Sequence, residues 1–255
     1  MEALTVHIEG IGWHSPGHAD WNSAAAALRE TGVLPGGTAT RPPATVLSPA
    51  ERRRAPLAVL LACEVARQAC AMAEREPATL PCVFASMFGD VSITDAMCAT
   101  LASAPRELSP TRFHNSVHNA AVGYWTVATG CHAPSTAISA WDGSFAAGLL
   151  EAAIESAAEA RPVLFTACEI PAAGPLVEVL PPSAPFAVAF VLNAAWDERA
   201  RAALRLRHQA GAAETALATP IAAPLSLLAA IARGGSIDLQ LPAGAAMRLA
   251  IEVQS

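Results

Sequence analysis

Residues 138–150 read ISAWDGSFAAGLL. A β-prone approach runs into a tight Trp-Asp-Gly corner, and a helix of small residues follows. A strand-to-helix turn of this kind is a common way to present a nucleophile. The free N–H groups and positive dipole end of the following helix favour negative charge there. The corner offers Asp142, flanked by Trp141 and Gly143, and only Ser144 carries a hydroxyl. A G-x-S-x-G hydrolase elbow needs glycine two residues either side of the serine, but Asp142 and Ala146 stand there, so that motif fails. A carboxylate acting as nucleophile or base needs a partner acid, base or cation, and none is near Asp142 in sequence.

Outward from the corner, short β-rich runs alternate with longer helical ones, which predicts a layered α/β fold. Residues 4–12 (LTVHIEGIG) are expected as a first strand, followed by a helix capped by Asp20, running through Leu28 and stopping at Gly32. Residues 33–49 and 105–112 read as loops, and 56–76 as a helix apolar around most of its circumference. VFASM (83–87) is expected as a strand, with a Gly89-Asp90 turn and a helix whose start is boxed by Ser92 and Asp95. A further helix is expected over about 116–128, ending at Gly130. In the helix after the corner Glu151, Glu155 and Glu159 form a polar face one residue wide, which predicts a helix nearly surrounded by protein. PVLFTAC (162–168), FAVAFVLN (186–193) and MRLAIEV (247–253) read as strands, and LSLLAAIARG (225–234) as a short helix.

The composition narrows the function classes. Of 255 residues 53% are apolar and only 15% charged, so the surplus apolar surface must be buried in the fold or against a partner chain. The net charge is −6 and all 16 basic residues are arginine, which argues against a nucleic-acid partner. The one basic cluster, Arg52-Arg53-Arg54, reads as a solvated helix end or as a contact for an acidic partner such as a carrier protein. No uninterrupted apolar run reaches 18 residues, so no membrane span is expected, and the opening residues do not read as a signal peptide. The six scattered cysteines form no CxxC pair, and several lie in apolar runs, which predicts buried free thiols, a reducing compartment and a cytoplasmic protein with no zinc site. His114 and His118 stand four apart, as metal ligands on one helix face would, but no glutamate of the HExxH kind accompanies them. They read as polar groups of a loop and a helix start. Cys131, in a turn, reads as an idle thiol.

Taken in order, the chain resembles the N-terminal half of the β-ketoacyl synthases, the condensing enzymes of the thiolase fold. The resemblance runs through residues 1–193. It is carried by VHIEGIGWHSPG, RRRAPLAVLLACEVARQA and SMFGD, and above all by the block from LSPTRFHNSVHNAAVGYW to TGCHAPSTAISAWDGSFAAGLLEA. In the enzymes this block holds an S-P…N-x-x-x-G run, a G-x-x-x-P turn, and then the strand and elbow bearing the cysteine nucleophile. Aligned on Pro134, the nucleophile position falls on Asp142, and no cysteine lies in the elbow. The enzymes also use two histidines and a lysine from a C-terminal half. Here there is no lysine, and His208 is the sole histidine beyond residue 132.

That pattern is similar to a half-length chain length factor of the aryl polyene or pigment type. The resemblance implies an α/β, thiolase-like, layered α-β-α fold, with a ketosynthase N-terminal-like domain over 1–193 and a C-terminal extension over 194–255 packing on it. It implies a subunit without catalytic residues, metal or cofactor, in which Asp142 marks a vestigial nucleophile position. Such a subunit pairs with a complete ketosynthase, and meets acyl carrier protein through the complex. The strand Thr136, Ala137, Ile138, Ser139, Ala140 and Trp141 would pair across the dimer. Phe88, Val91, Thr94 and Phe113 are the candidates for closing the partner's acyl tunnel, against ordinary core packing as the alternative for each. The competing reading is an autonomous acyltransferase or thioesterase using Asp142, Ser144 or Cys131.

Overall fold

The computed structural model describes residues 3–31, 36–180, 184–213, 222–244 and 246–255. Its centre is one mixed eight-stranded sheet, in the order β3-β2-β4-β5-β1-β6-β8-β7. In chain order the strands are β1 (Leu4–His14), β2 (Cys82–Ala85), β3 (Ser135–Ile138), β4 (Val163–Glu169), β5 (Phe186–Asn193), β6 (Ala202–Ala210), β7 (Ser236–Pro242) and β8 (Met247–Gln254). The helices are α1 (Trp21–Thr31), α2 (Pro49–Arg54), α3 (Leu57–Met72), α4 (Val91–Ser103), α5 (Pro110–Ser116), α6 (Ala120–Thr129), α7 (Ser144–Glu159) and α8 (Ala222–Arg233). Strand β2 runs parallel to β3 and β4, and the other pairs are antiparallel.

Two apolar layers hold helices on opposite faces of the sheet. Helices α1, α7 and α8 share one with Trp13, Phe165 and Phe190, while α3 and α6 share the other with Trp125 and Leu164. Strand β5 shows how the sequence separates them. Phe186, Val188, Phe190 and Leu192 enter the first layer, and the smaller Ala187, Ala189 and Val191 lie under α3. Strand β1 needs a correction to strict alternation, because Val6 and Ile8 share a face with Ile11 and Trp13. A register shift between Ile8 and Gly10 inserts the extra residue. The other face is then left to Gly10 and Gly12, and α3 lies directly on their backbone. An added Cβ would stand 2.1 Å from the Ala69 carbonyl oxygen at Gly10 and 1.9 Å from that of Val65 at Gly12.

The bulge leaves Glu9 fully buried. Arg75, just beyond α3, answers it with two hydrogen bonds of 2.8 Å, and Asn193 donates a third at 2.7 Å. Arg75 also reaches Asp197 at 2.9 Å, which ties β1, α3 and the turn after β5 into one ion-paired cluster.

Several expectations are met. Asp20 caps α1 by accepting from Ser23 N–H at 2.8 Å, and 186–193 is a strand over its whole length. The stop expected at Gly32 lies outside the described residues. Helix α3 ends four residues earlier than expected, at Met72, because Glu74 takes a left-handed φ of 52°. The start of α4 is capped by Asp90, which accepts from Ile93 N–H, rather than boxed by Ser92 and Asp95. The 105–112 segment is not all loop, since Ser109 caps α5 with Pro110 in its first turn. The helix expected from 116 begins at Ala120 and ends at left-handed Gly130. Helix α7 is less enclosed than expected, with Ile154 45% exposed beside Glu151. Strands β6 and β7 are additional to the strands that the sequence predicts. Beyond residue 193 the chain continues the same sheet, with β6 on β1 and α8 against α1.

Candidate functional site

The corner at 139–144 is closed by its own polar groups. Gly143 N–H donates to Ala140 O at 3.0 Å and Ser144 N–H to Trp141 O at 3.1 Å. The Ser144 hydroxyl donates to Trp141 O at 2.6 Å and accepts from Ala140 N–H at 2.9 Å. These bonds hold Trp141 at a left-handed φ of 53°, a conformation that costs a bulky residue strain. The side chain is thereby held out, 60% exposed, with its ring edge-on to Phe88 at 5.2 Å. At Gly143 a side chain would be tight, since an added Cβ would lie 3.0 Å from Gly244 N and 3.1 Å from Ala243 C, and these neighbours would have to give by a few tenths of an ångström. The turn between β7 and β8 therefore rests on the corner.

The three candidate nucleophiles are not equivalent. Asp142 is exposed at the N-terminus of α7, and the described residues give its carboxylate no hydrogen bond. Ser144 is 3% exposed with its hydroxyl engaged twice, so it serves the corner's architecture. Cys131 is buried and donates to Leu80 O at 3.3 Å, before the start of β3, whereas the corner lies beyond its end. Among the described residues no hydrogen bond joins a histidine to the corner. His114 sits on α5 with its ring 6.1 Å from that of Tyr124, while His118 lies past the end of α5 and bonds Ser86 O at 2.9 Å. The i, i+4 spacing thus crosses a helix end, and the two imidazoles do not share a helix face. Among the described residues no group of three or more His, Cys, Asp or Glu could hold a metal ion. All six cysteines are free, and burial pushes the Cys70 and Cys82 thiols up to about 12.

Strand β3 is at the edge of the sheet, paired through β2 alone. It covers Thr136, Ala137 and Ile138 but stops there. Ser139, Ala140 and Trp141 belong to the corner, where the Ser139 hydroxyl donates to Met87 O at 2.9 Å. The physical reason is the corner's own bonding, which takes Ala140 N–H and O out of any strand ladder. The four tunnel candidates fall on three elements. Phe88 is half-buried in the turn after β2, and Val91 is buried in the layer beneath α4. Thr94 is exposed on α4, and Phe113 is 58% exposed on α5.

Sequence reasoning missed Glu169 at the end of β4. Its carboxylate accepts from Met87 N–H at 2.6 Å and so ties β4 to the turn that carries Phe88. Burial pushes its pKa up to about 7, against the lowering effect of the Met87 and Ser86 hydrogen bonds. A lone acid closing the apolar run VLFTAC was the available signal. The raised value sets a sign. The folded state holds the proton more tightly than the unfolded chain, whose carboxyl titrates near its ordinary 4.5. The contribution is complete below that value and lost as pH rises through about 7. Glu169→Gln keeps an acceptor for Met87 N–H, and is expected to flatten the decline in unfolding free energy over this interval. Parallel denaturation curves for both proteins against pH would contradict the assignment.

A layered sheet with a strand-to-helix elbow at the end of an edge strand defines a thiolase-like fold. The chain belongs to the β-ketoacyl synthase N-terminal domain family, whose model matches residues 21–241. Among solved structures it is similar to a chain of the complex of the ketosynthase ApeO with its chain length factor ApeC from Xenorhabdus doucetiae. That match has 22% identity and a TM-score of 0.79, covering 99% of this chain and 100% of that one. A chain of the ishigamide ketosynthase/chain length factor matches at 15% identity and TM-score 0.74, covering 97% and 99%. A chain of the AntDE:AntF complex, a type II polyketide synthase acyl carrier protein with its ketosynthase bound to the hexaketide, matches at 12% and 0.76, covering 99% of each. At these identities the likeness is one of fold. No curated protein matches by sequence. Among the described residues no helix is long and apolar enough to cross a membrane.

Proposed function

We propose that this chain is a non-catalytic chain length factor that pairs with a complete β-ketoacyl synthase and shapes its acyl tunnel. The observation that carries this reading is the corner itself. It is built like a nucleophile elbow, but an exposed aspartate stands at the nucleophile position and the neighbouring hydroxyl is spent on the turn. The unpaired outer edge of β3, with Thr136, Ala137 and Ile138 half-exposed, supports pairing with a partner strand. Exposed Trp141, just past its end, supplies an aromatic anchor of the kind interfaces favour. In this reading residues 194–255 complete the same unit, and acyl carrier protein is met through the complex. Phe88, Thr94 and Phe113 are the tunnel candidates, while the burial of Val91 favours ordinary packing there.

Co-expression with ketosynthases tests the pairing. The chain is expected to copurify with and solubilise one of them, and alone to show no acyl adduct by intact mass after incubation with acyl thioesters. An adduct on Asp142, Ser144 or Cys131 would establish the autonomous acyltransferase or thioesterase instead. In the assembled complex Phe88→Ala is expected to lengthen the products, because a half-buried ring removed from a tunnel wall leaves space. Unchanged product length from a soluble Phe88→Ala complex would remove Phe88 from the gate.

A further inference from the structure

Among the described residues, four other than glycine hold a left-handed φ: Ala44, Glu74, Trp141 and Ala160. Three have a local reason. Ala160 closes the C-terminus of α7, and Glu74 lies in the turn that ends α3, both places where helices commonly finish left-handed. Ala44 is buried in a turn closed by the Leu47 N–H. Trp141 is the exception. It stands before a helix rather than after one, where capping asks for no left-handed residue. It also sets a bulky aromatic side chain on a backbone that suits glycine or asparagine.

Two costs therefore fall on one residue in the free chain: a strained backbone and an indole 60% exposed to water. Both are fixed by the surrounding structure. The Ser144 hydroxyl and N–H donate to Trp141 O and hold the backbone. Phe88, edge-on to the indole, belongs to a turn that is itself tied on three sides. Met87 N–H donates to Glu169, Met87 O accepts from the Ser139 hydroxyl, and Ser86 O lies 2.9 Å from His118 Nε2. The ring is thus preorganised in an outward position that returns little to the isolated chain.

We propose that Trp141 is the pairing anchor of this chain, held out by the strained corner so that its indole enters an apolar pocket on the partner ketosynthase. Trp141 lies three residues past Ile138, where β3 ends, so whatever pairs with the free outer edge of that strand meets the ring. Docking would bury the indole against a partner, which is how a few aromatic residues come to dominate an interface. Asp142 beside it has no hydrogen bond, so the pocket that fits carries a donor at its rim. A second copy of this chain fits less well, because it would bring the same unpaired Asp142 and a further net charge of −6 to the contact. The identity of the partner rests on the chain length factor reading, whereas the strained, outward ring belongs to this chain alone.

Competition tests the anchor. A tagged ketosynthase that copurifies with the chain is co-expressed in limiting amount with the wild type and one variant, and intact mass gives their ratio in the captured complex. Trp141→Ala and Trp141→Gly are each expected to be outcompeted about thirtyfold or more, as the loss of a hot-spot residue would give. Trp141→Phe keeps a ring and is expected to stay within about tenfold of wild type. The ring is mostly exposed, so all three variants should fold with midpoints within about 5 °C of wild type. Strain is read separately, on the purified chains. Glycine is ordinarily the less stable choice, but at a left-handed φ it relieves what alanine keeps. Trp141→Gly is therefore expected to melt about 2–4 °C above Trp141→Ala. Capture of folded variants at parity with wild type would overturn the anchor, and a glycine variant melting below the alanine variant would overturn the strain on which it rests. A purified chain that is already dimeric, and that Trp141→Ala makes monomeric, would give the ring to a second copy and overturn the choice of partner. If the wild type copurifies with no ketosynthase, it is the chain length factor reading that falls, and the ketosynthase pocket with it, while the melting order still reports the strain.

Discussion

Arg75→Met is expected to lower the free energy of unfolding by about 3–5 kcal/mol, the usual cost of removing one partner from a buried ion pair. Glu9 is fully buried in the bulge of β1, and Arg75 supplies two of its hydrogen bonds at 2.8 Å. Without the guanidinium Glu9 would keep only the Asn193 amide at 2.7 Å, and its charge would stand uncompensated in the sheet. Methionine preserves much of the aliphatic stem, so lost packing contributes little to the difference. The double variant Glu9→Gln with Arg75→Met should recover part of the loss, because no charge is then left behind. Chemical denaturation of the three proteins reads this directly. A single-variant loss under about 1 kcal/mol would show that the pair is not the clasp described here.

Gly12→Ala is expected to be at least as damaging, at about 3 kcal/mol or more, and to leave most of the protein insoluble. The added Cβ would fall 1.9 Å from the Val65 carbonyl oxygen. The oxygen belongs to backbone and the Cβ is fixed rigidly to it, so relief requires α3 to move off β1, and α3 also packs on β4 and β5. The control is Gly123→Ala on α6, where nothing lies within 4 Å of the new methyl group. That change should be neutral or stabilising by up to about 1 kcal/mol, since alanine is the better helix former. Thermal midpoints of the two variants should therefore move in different directions or by very different amounts. A soluble Gly12→Ala protein with a wild-type midpoint would mean that α3 does not lie as close to the strand as described.

The sequence determined the elements that carry their own periodicity or punctuation. FAVAFVLN alternates large and small apolar residues, and it forms β5 with the large ones on one face. Asp20 and Gly130 announce a helix start and a helix end by local chemistry, and each does so in the structure. The corner at 138–150 was legible for the same reason, since a Trp-Asp-Gly turn before small residues allows few alternatives. Ser109-Pro110 carries an equally local helix signal inside a stretch whose composition reads as loop, and Asp90 caps α4 two residues before Ser92.

The remaining features depend on contacts between distant segments. Strand β6 alternates buried leucine with exposed arginine, and it counts as a strand because β1 and β8 pair with it on either side. Glu9 sits within a strand where alternation gives no reason for an acid, and Arg75, which neutralises it, stands 66 residues away. Glu169 owes its importance to what surrounds it, a backbone N–H from the turn after the neighbouring strand β2. The Ser144 hydroxyl could be seen in the sequence, but its commitment to Ala140 and Trp141 could not. Periodicity and capping act within a few residues of the chain, so they can be read along it. Burial and charge compensation depend on which distant segments meet, and they exist only once the sheet has assembled.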